Sequence, residues 1–330
     1  MKAILIDEPG DENCMRLGEA EVPELKAGMV RIRNHASGVN RADLLQRQGL
    51  YPAPAGASPI LGLECSGEIV EVDEERGRFS VGDRVMALLP GGGYAEDVVV
   101  DAGSVMRLPD ALSYEEGAGL SETLLTVFLN VFQLGAFPEG GSVLVHGGGS
   151  GIGTTTIDLV KRAGGRVIAT AGSAEKCQRC LDLGADAVAN YKEDDWVETV
   201  RKATDGRGVD VVLDSIGGPY LERNLKSLAI DGSLVLIGLM GGAKAEIPLG
   251  LVLMRRLKLI GSTLRTRSVD EKAAIIEAFL TRFGADLEAG KIRPILDRIY
   301  PLEQVPDAHR LIKASTHFGK VVLRVRAEKS

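Results

Sequence analysis

The stretch Val143-Leu144-Val145-His146-Gly147-Gly148-Gly149-Ser150-Gly151-Ile152-Gly153 decides how this chain is read. An apolar run of the buried-strand type breaks into glycine and re-emerges as a helix. That succession suggests a site for a pyrophosphate. Glycines let the backbone turn tightly and let phosphate oxygens approach, while unpaired N–H groups and the positive end of the helix dipole stabilise the anion. Counted from Gly147, a G-x-G-x-x-G spacing needs glycine at position 152, where Ile152 stands. Alone, the stretch also fits an ordinary glycine-rich loop.

Its surroundings favour the nucleotide reading. Beyond Tyr114, helical patterns alternate with β-rich runs at residues 143–146, 166–171, 187–189, 209–214, 233–238 and 258–263, which predicts a doubly wound parallel six-stranded sheet. The glycine turn follows the first of these strands. From Lys2 to Pro109 the pattern is one of short strands, for example 29–33, 67–72 and 84–88, interrupted by a helix over 41–48 and a proline-rich loop, 51–56. After Thr263 come a helix over 270–283, a strand at 295–300, a helix over 305–314 and a last strand at 320–325, and these strands fit the first domain better. The expectation is an α/β chain in which residues 121–264 form a nucleotide domain inserted into a β domain made of 1–120 and 265–330, with ligands in the cleft between them.

Composition narrows the partners. With 45% hydrophobic and 26% charged residues the chain reads as soluble and globular, and a formal charge of -7 argues against nucleic acid or a polybasic membrane anchor. The longest uncharged helix-like run, 123–137, is shorter than the roughly 20 apolar residues of a membrane span. The start turns acidic at Asp7-Glu8, which predicts no signal peptide. Cys14, Cys65, Cys177 and Cys180 are too few and too irregular for a disulfide framework, so a reducing cytoplasm is expected.

The cofactor reading rests on the second strand of the sheet. An acidic residue there would hold a ribose 2′-OH and repel a 2′-phosphate. Here the strand ends Thr170-Ala171-Gly172-Ser173, with no acid and with Lys176 close behind. Small residues, a hydroxyl and a cation suit a phosphate, so NADPH is preferred to NADH. Ser173 is equally suited to cap the next helix, and Tyr191 could add a phenol to the same pocket or simply pack. No metal is expected: the four histidines are scattered, and the single Cys177-x-x-Cys180 lies inside a helix pattern, where structural thiols are the simpler reading.

Further blocks carry a family resemblance. Gly38-Val39-Asn40-Arg41-Ala42-Asp43, Ile60-Leu61-Gly62-Leu63-Glu64-Cys65-Ser66-Gly67 and Val81-Gly82-Asp83-Arg84-Val85 resemble the medium-chain dehydrogenase/reductase superfamily. Within it the chain is similar to the zinc-free quinone oxidoreductases of the zeta-crystallin type. It is closest to the tumour-suppressor-inducible quinone oxidoreductase subgroup, through residues 40–49, 87–93, 238–242 and 297–301. The resemblance implies a GroES-like β domain beside the Rossmann domain, and a homodimer. It implies no zinc, since Asn40 and Leu63 stand where zinc-dependent relatives have ligands. It places Ser150, Gly151, Ile152 and Gly153 at the pyrophosphate, Gly172, Ser173, Lys176 and Tyr191 at the 2′-phosphate, and Asn40, Thr126, Leu239, Met240 and Leu264 around the nicotinamide.

The implied activity is NADPH-dependent quinone reduction, a metal-free electron or hydride transfer in which positioning supplies most of the catalysis. Tyr51, Asn40 or water would meet the charge developing on the acceptor oxygen, and Asp43 would fix the loop or the Asn40 geometry. Reduction of an activated C=C bond in an enone or enal needs the same parts. A non-catalytic NADPH-binding protein is the alternative of a different class.

Overall fold

The computed structural model describes residues 1–73 and 78–326; the last four residues of the expected 265–330 segment lie outside them. The chain divides into two compact units, Met1–Leu125 with Leu264–Ser330 and Thr126–Thr263. The first crossing thus falls after residue 125 rather than 120, and Leu264 groups with the first unit rather than the second. The physical reason at the first crossing is local: Glu122 donates its backbone N–H to the Glu64 carboxylate and so ties the start of its helix to the first unit.

The first unit begins with β1 (Lys2–Ile6) and β2 (Met15–Glu19), an antiparallel pair. Then follow β3 (Met29–Val39), α1 (Arg41–Arg47), β4 (Glu64–Val72), β5 (Arg84–Leu88), β6 (Asp97–Asp101), β7 (Val105–Arg107), α2 (Tyr114–Ala118) and α3 (Ser121–Val127). The second unit contains β8 (Ser142–His146), α4 (Gly151–Arg162), β9 (Arg166–Ala171), α5 (Ala174–Asp182), β10 (Ala187–Asn190), α6 (Trp196–Ala203) and β11 (Val209–Asp214). It continues with α7 (Leu221–Ser227), β12 (Leu228–Leu236), α8 (Leu249–Arg255) and β13 (Lys258–Gly261). The chain then returns to the first unit with α9 (Val269–Glu288), β14 (Leu296–Pro301), α10 (Val305–Ala314) and β15 (Lys320–Arg324).

In the first unit, one sheet runs β14-β15-β3-β4-β5-β7, with β6 also on β3, so both C-terminal strands join the N-terminal ones. β3 starts as a half-buried strand: Val30 and Ile32 face a core with Cys65, Ile69, Val85 and Val98, while Arg31 and Arg33 turn out to Glu71 and Glu68 on β4. A second core joins Val39, Leu44, Tyr94, Val305, Ile312 and Val321 and holds α1 and α10 against β15 and β3. α9 is fixed at its start by a reciprocal Ser268–Glu271 cap and buries Ile275, Ile276, Phe279, Phe283 and Leu287.

In the second unit the strand order is β10-β9-β8-β11-β12-β13, all parallel. This is the doubly wound order 3-2-1-4-5-6. All five residues of β8 are buried, as the continuous apolar run requires when helices cover both faces of a parallel sheet. The order in which strands are added reverses at β8, flanked by β9 and β11, and ligands of such sheets bind outside the carboxyl ends of the strands at that point. β12 starts earlier than the sequence pattern indicates, because Leu228 pairs with Val209 ahead of an irregularity in the ladder.

Candidate functional site

The glycine turn lies at the carboxyl end of β8. Gly147 has φ +71, a left-handed conformation that glycine accepts without strain. A Cβ on Gly148 would stand 2.9 Å from both the Ala169 Cβ and the Cys180 Sγ, and one on Gly153 would run into the backbone of Gly147 and Gly148. The fingerprint is therefore framed by Gly148 and Gly153, not by Gly147. Read in that frame it is G-x-S-x-x-G: the position of the second glycine is Ser150, and Ile152 is no departure. Counting from Gly147 fails because Gly147 shapes the turn without belonging to the spaced set. Ser150 caps α4, its Oγ accepting the Gly153 N–H at 3.0 Å. Cys180, packed beneath this turn, has its thiol pushed up to about 12 by burial, and it and Cys177 are free thiols.

At the end of β9, Gly172 is dictated by closeness: a Cβ there would stand 2.5 Å from the Tyr191 hydroxyl oxygen. Ser173 caps α5, accepting the Lys176 N–H at 3.3 Å. The four residues expected at a 2′-phosphate thus gather at one corner of the second unit. Leu239 and Met240 lie in the turn after β12, with 53% and 54% of their surfaces exposed. This turn is pinned by Met240 N–H to Ser215 O at 3.1 Å and Gly241 N–H to Ile216 O at 2.8 Å. Thr126 is buried at the start of the second unit, its carbonyl accepting from Asn130 Nδ2 at 2.7 Å. Leu264 is buried in the first unit.

In the first unit, Asn40 and Asp43 share one buried polar network. The Asn40 Oδ1 accepts from the Lys320 ammonium at 2.7 Å, and its Nδ2 donates to Glu64 Oε1 at 2.9 Å. Lys320 also reaches Glu64 Oε1 at 2.6 Å and the Val39 carbonyl at 3.3 Å. Gly38 leaves the space that Glu64 and the Ala118 carbonyl occupy. Asp43 accepts from Asn40 N–H at 2.7 Å, Gly62 N–H at 3.2 Å and the Tyr94 hydroxyl at 3.0 Å. Its complete burial still raises its carboxyl to about 6. Behind Tyr94 stands His309, with Nε2 3.2 Å from the Tyr94 oxygen and Nδ1 3.3 Å from Arg47. Desolvation holds this imidazole down at about 3, hence neutral.

Tyr51 belongs to a second group. Its ring lies beside the Arg265 guanidinium, 5.2 Å from the ring centre, and burial raises its phenol. Arg265 is buried and held by the Pro90 carbonyl at 2.8 Å, Gln46 Oε1 at 2.6 Å and the Tyr51 carbonyl at 3.4 Å. Lys272 donates to the Arg265 carbonyl at 2.9 Å. Half-buried Glu122 has its carboxyl raised to about 8, first by desolvation and then by Glu64. Sequence reasoning missed Lys320, Arg265 and Glu122 as members of this surround. Lys320 left a usable signal, a cation opening an apolar strand run on its buried face, where a counter-ion is needed.

Residues 151–280 match the family model of zinc-binding dehydrogenases, and residues 26–110 that of the alcohol dehydrogenase GroES-like domain. The quinone oxidoreductase of Rattus norvegicus is 30% identical over 98% of this chain and 97% of its own length. The chain belongs to the medium-chain dehydrogenase/reductase superfamily, quinone oxidoreductase type. A component of the phenolphthiocerol/phthiocerol polyketide synthase of Mycobacterium tuberculosis is 28% identical over 97% of this chain, which spans only 14% of that protein's length. Among solved structures, an NAD-dependent alcohol dehydrogenase has a TM-score of 0.87 and 32% identity, covering 99% of this chain and 100% of its own. Escherichia coli quinone oxidoreductase complexed with NADPH has a TM-score of 0.86 and 26% identity, covering 98% of this chain and 100% of its own.

The chain is thus α/β, with a GroES-like unit and a parallel Rossmann sheet. Zinc, implied by the name of one matched model, does not fit its residues. Among the described residues no group of three or more His, Cys, Asp or Glu could hold a metal, and the Asn40 and Glu64 oxygens already converge on the Lys320 ammonium. Among the described residues no helix is long and apolar enough to cross a membrane.

Proposed function

We propose that this oxidoreductase uses NADPH to reduce a quinone without a metal. The observation that carries the reading is the end of β9, where Gly172, Ser173, Lys176 and Tyr191 gather and the strand itself ends without a carboxylate, the acid of the first turn of α5 being Glu175. A 2′-phosphate would meet the Tyr191 phenol, the N-terminus of α5 and a lysine, with no acid at the end of β9 itself. Ser150, Gly151, Ile152 and Gly153 would hold the pyrophosphate, and the exposed apolar side chains of Leu239 and Met240 suit a flat nicotinamide ring. NADPH, when bound, supplies the hydride.

In the first unit, the role of meeting charge on the acceptor oxygen falls to Tyr51. Burial keeps its phenol protonated at neutral pH, and Arg265, fixed by three acceptors, backs its ring. Asn40 and Asp43 serve instead as positioning groups, since both sides of the Asn40 amide and both oxygens of Asp43 already have partners. Four free thiols suit a reducing cytoplasm, and the partner of the chain is a second copy of itself.

A panel of quinones beside a panel of enones and enals, each run with NADPH and NADH, tests the reading. Quinone turnover with NADPH preferred is the expected result, and none with any quinone sinks it. The second reading, reduction of an activated C=C bond, needs the same cofactor corner and the same Tyr51–Arg265 group and predicts turnover of enones instead. Tight NADPH binding without consumption in either panel would mark a non-catalytic NADPH binder.

A further inference from the structure

At the carboxyl end of β8, His146 is buried, with its ring walled by Trp196 at 5.4 Å and Tyr220 at 4.8 Å, both edge-on. Its Nδ1 lies 3.1 Å from Thr170 Oγ1 on β9 and its Nε2 2.7 Å from Asn224 Oδ1 on α7. Asn224 in turn donates through Nδ2 to Asp214 Oδ2 at 3.0 Å. The Asp214 carboxylate accepts the Ile216 N–H at 2.6 Å and the Gly217 N–H at 3.2 Å. At the other end, Thr170 Oγ1 accepts the Gly147 N–H at 3.4 Å.

Every donor in this chain is dictated. Asp214 can only accept, so the Asn224 amide group faces it and the Asn224 oxygen faces His146. The imidazole must then carry its proton on Nε2, its Nδ1 accepts from the Thr170 hydroxyl, and the Thr170 oxygen is left to accept from Gly147. The links run in one direction, Gly147 to Thr170 to His146 to Asn224 to Asp214. They continue through the backbone, because Ser215 and Ile216 carry the Leu239–Gly242 turn. Burial holds the imidazole down at about 4, so it stays neutral at ordinary pH.

We propose that His146 is a positioning residue that couples the glycine turn after β8 to the turn bearing Leu239 and Met240, holding both loops in one preformed geometry. For its bearing on the cofactor this rests on the proposed nucleotide site. For the loops it stands alone.

The test is amide hydrogen exchange on the full chain, comparing the parent with His146→Ala and Asn224→Leu. The Asn224 side chain bonds to His146 and Asp214, not to either turn, yet Asn224→Leu should speed exchange at Gly147 as well as at Ile216 and Gly217 by about tenfold, the scale of one lost buried hydrogen bond. Ala189 on β10 should keep its rate. NADPH affinity should fall about tenfold in the same variants. Unchanged exchange at Gly147 in Asn224→Leu, or equal acceleration at Ala189, overturns the coupling. Should either variant fail to fold, 15N spectra of the parent imidazole decide: protonation on Nε2 supports the chain and protonation on Nδ1 overturns it. A parent that binds no NADPH defeats the nucleotide reading, and the exchange rates still judge the coupling.

Discussion

Ser150 and Lys176 act on different parts of a dinucleotide, and their substitutions separate two readings. Ser150→Ala removes the hydroxyl that caps α4, which should cost about 1 kcal/mol of stability by urea unfolding. It should weaken NADPH and NADH by the same factor, because the pyrophosphate is common to both. Lys176→Ala should weaken NADPH about 10-fold or more while leaving NADH nearly unchanged, since a charge-assisted hydrogen bond contributes about 1.5–3 kcal/mol. Parallel fluorescence titrations check both, and equal losses in Lys176→Ala would refute the 2′-phosphate assignment. Both residues are legible in the sequence, from their positions after the first and second strands of the sheet. The correct frame of the glycine fingerprint is not, because which glycine is spared a side chain depends on Ala169 and Cys180, far from it in sequence.

At the scale of elements, the six parallel strands and the return of β14 and β15 to the first sheet are legible, because each strand is an apolar run bounded by turn residues. What periodicity does not reveal is which polar groups a strand carries inward to meet others. β15 presents Lys320 to Glu64 on β4 and to Asn40 at the start of α1, three segments joined only by the fold. Removing one partner of so buried a pair strands the other charge. Lys320→Met should therefore cost about 3–5 kcal/mol. Adding Glu64→Gln should recover a large part of it, because no uncompensated charge remains. Unfolding of the two single variants and the double variant measures the coupling, and strictly additive losses would show that Lys320 and Glu64 do not act as a pair.

Over the whole molecule, buried titrating groups act on stability in opposite senses across the acid-to-neutral range. His146 and His309 have pKa values depressed to about 4 and about 3 from an ordinary 6.5, so the unfolded chain binds their protons first and stability is lost as pH falls from 6.5 through 4 and then 3. Asp43 and Glu122 are raised from 3.8 to about 6 and from 4.5 to about 8, so the unfolded chain releases their protons first and stability is lost as pH rises across each of those intervals. Glu64, Lys320, Asp43 and Lys272 all act on Glu122. Glu122→Gln should flatten this loss, moving its Tm relative to the parent upward by about 2–4 °C per kcal/mol between pH 5 and pH 8. Thermal melts across that range decide it, and parallel pH profiles would mean that Glu122 titrates normally.

Assembly is the remaining property of the whole chain, and the edge of the parallel sheet argues for it. β13 is the last strand in its sheet, paired with β12 on one side. Next to it in sequence, the seven-residue α8 exposes Leu249 by 72%, Leu253 by 76% and Met254 by 76%. An open strand edge beside a large apolar surface is what a soluble protein covers. A second copy would do so by the simplest symmetry, a twofold axis that brings the same patch to itself. The parent should therefore sediment as a dimer. Leu253→Glu, at a side chain that the chain's own core does not use, should sediment as a monomer with an unchanged Tm of its second unit. A monomeric parent at micromolar concentration would defeat the dimer, and a dimeric Leu253→Glu would move the interface away from α8.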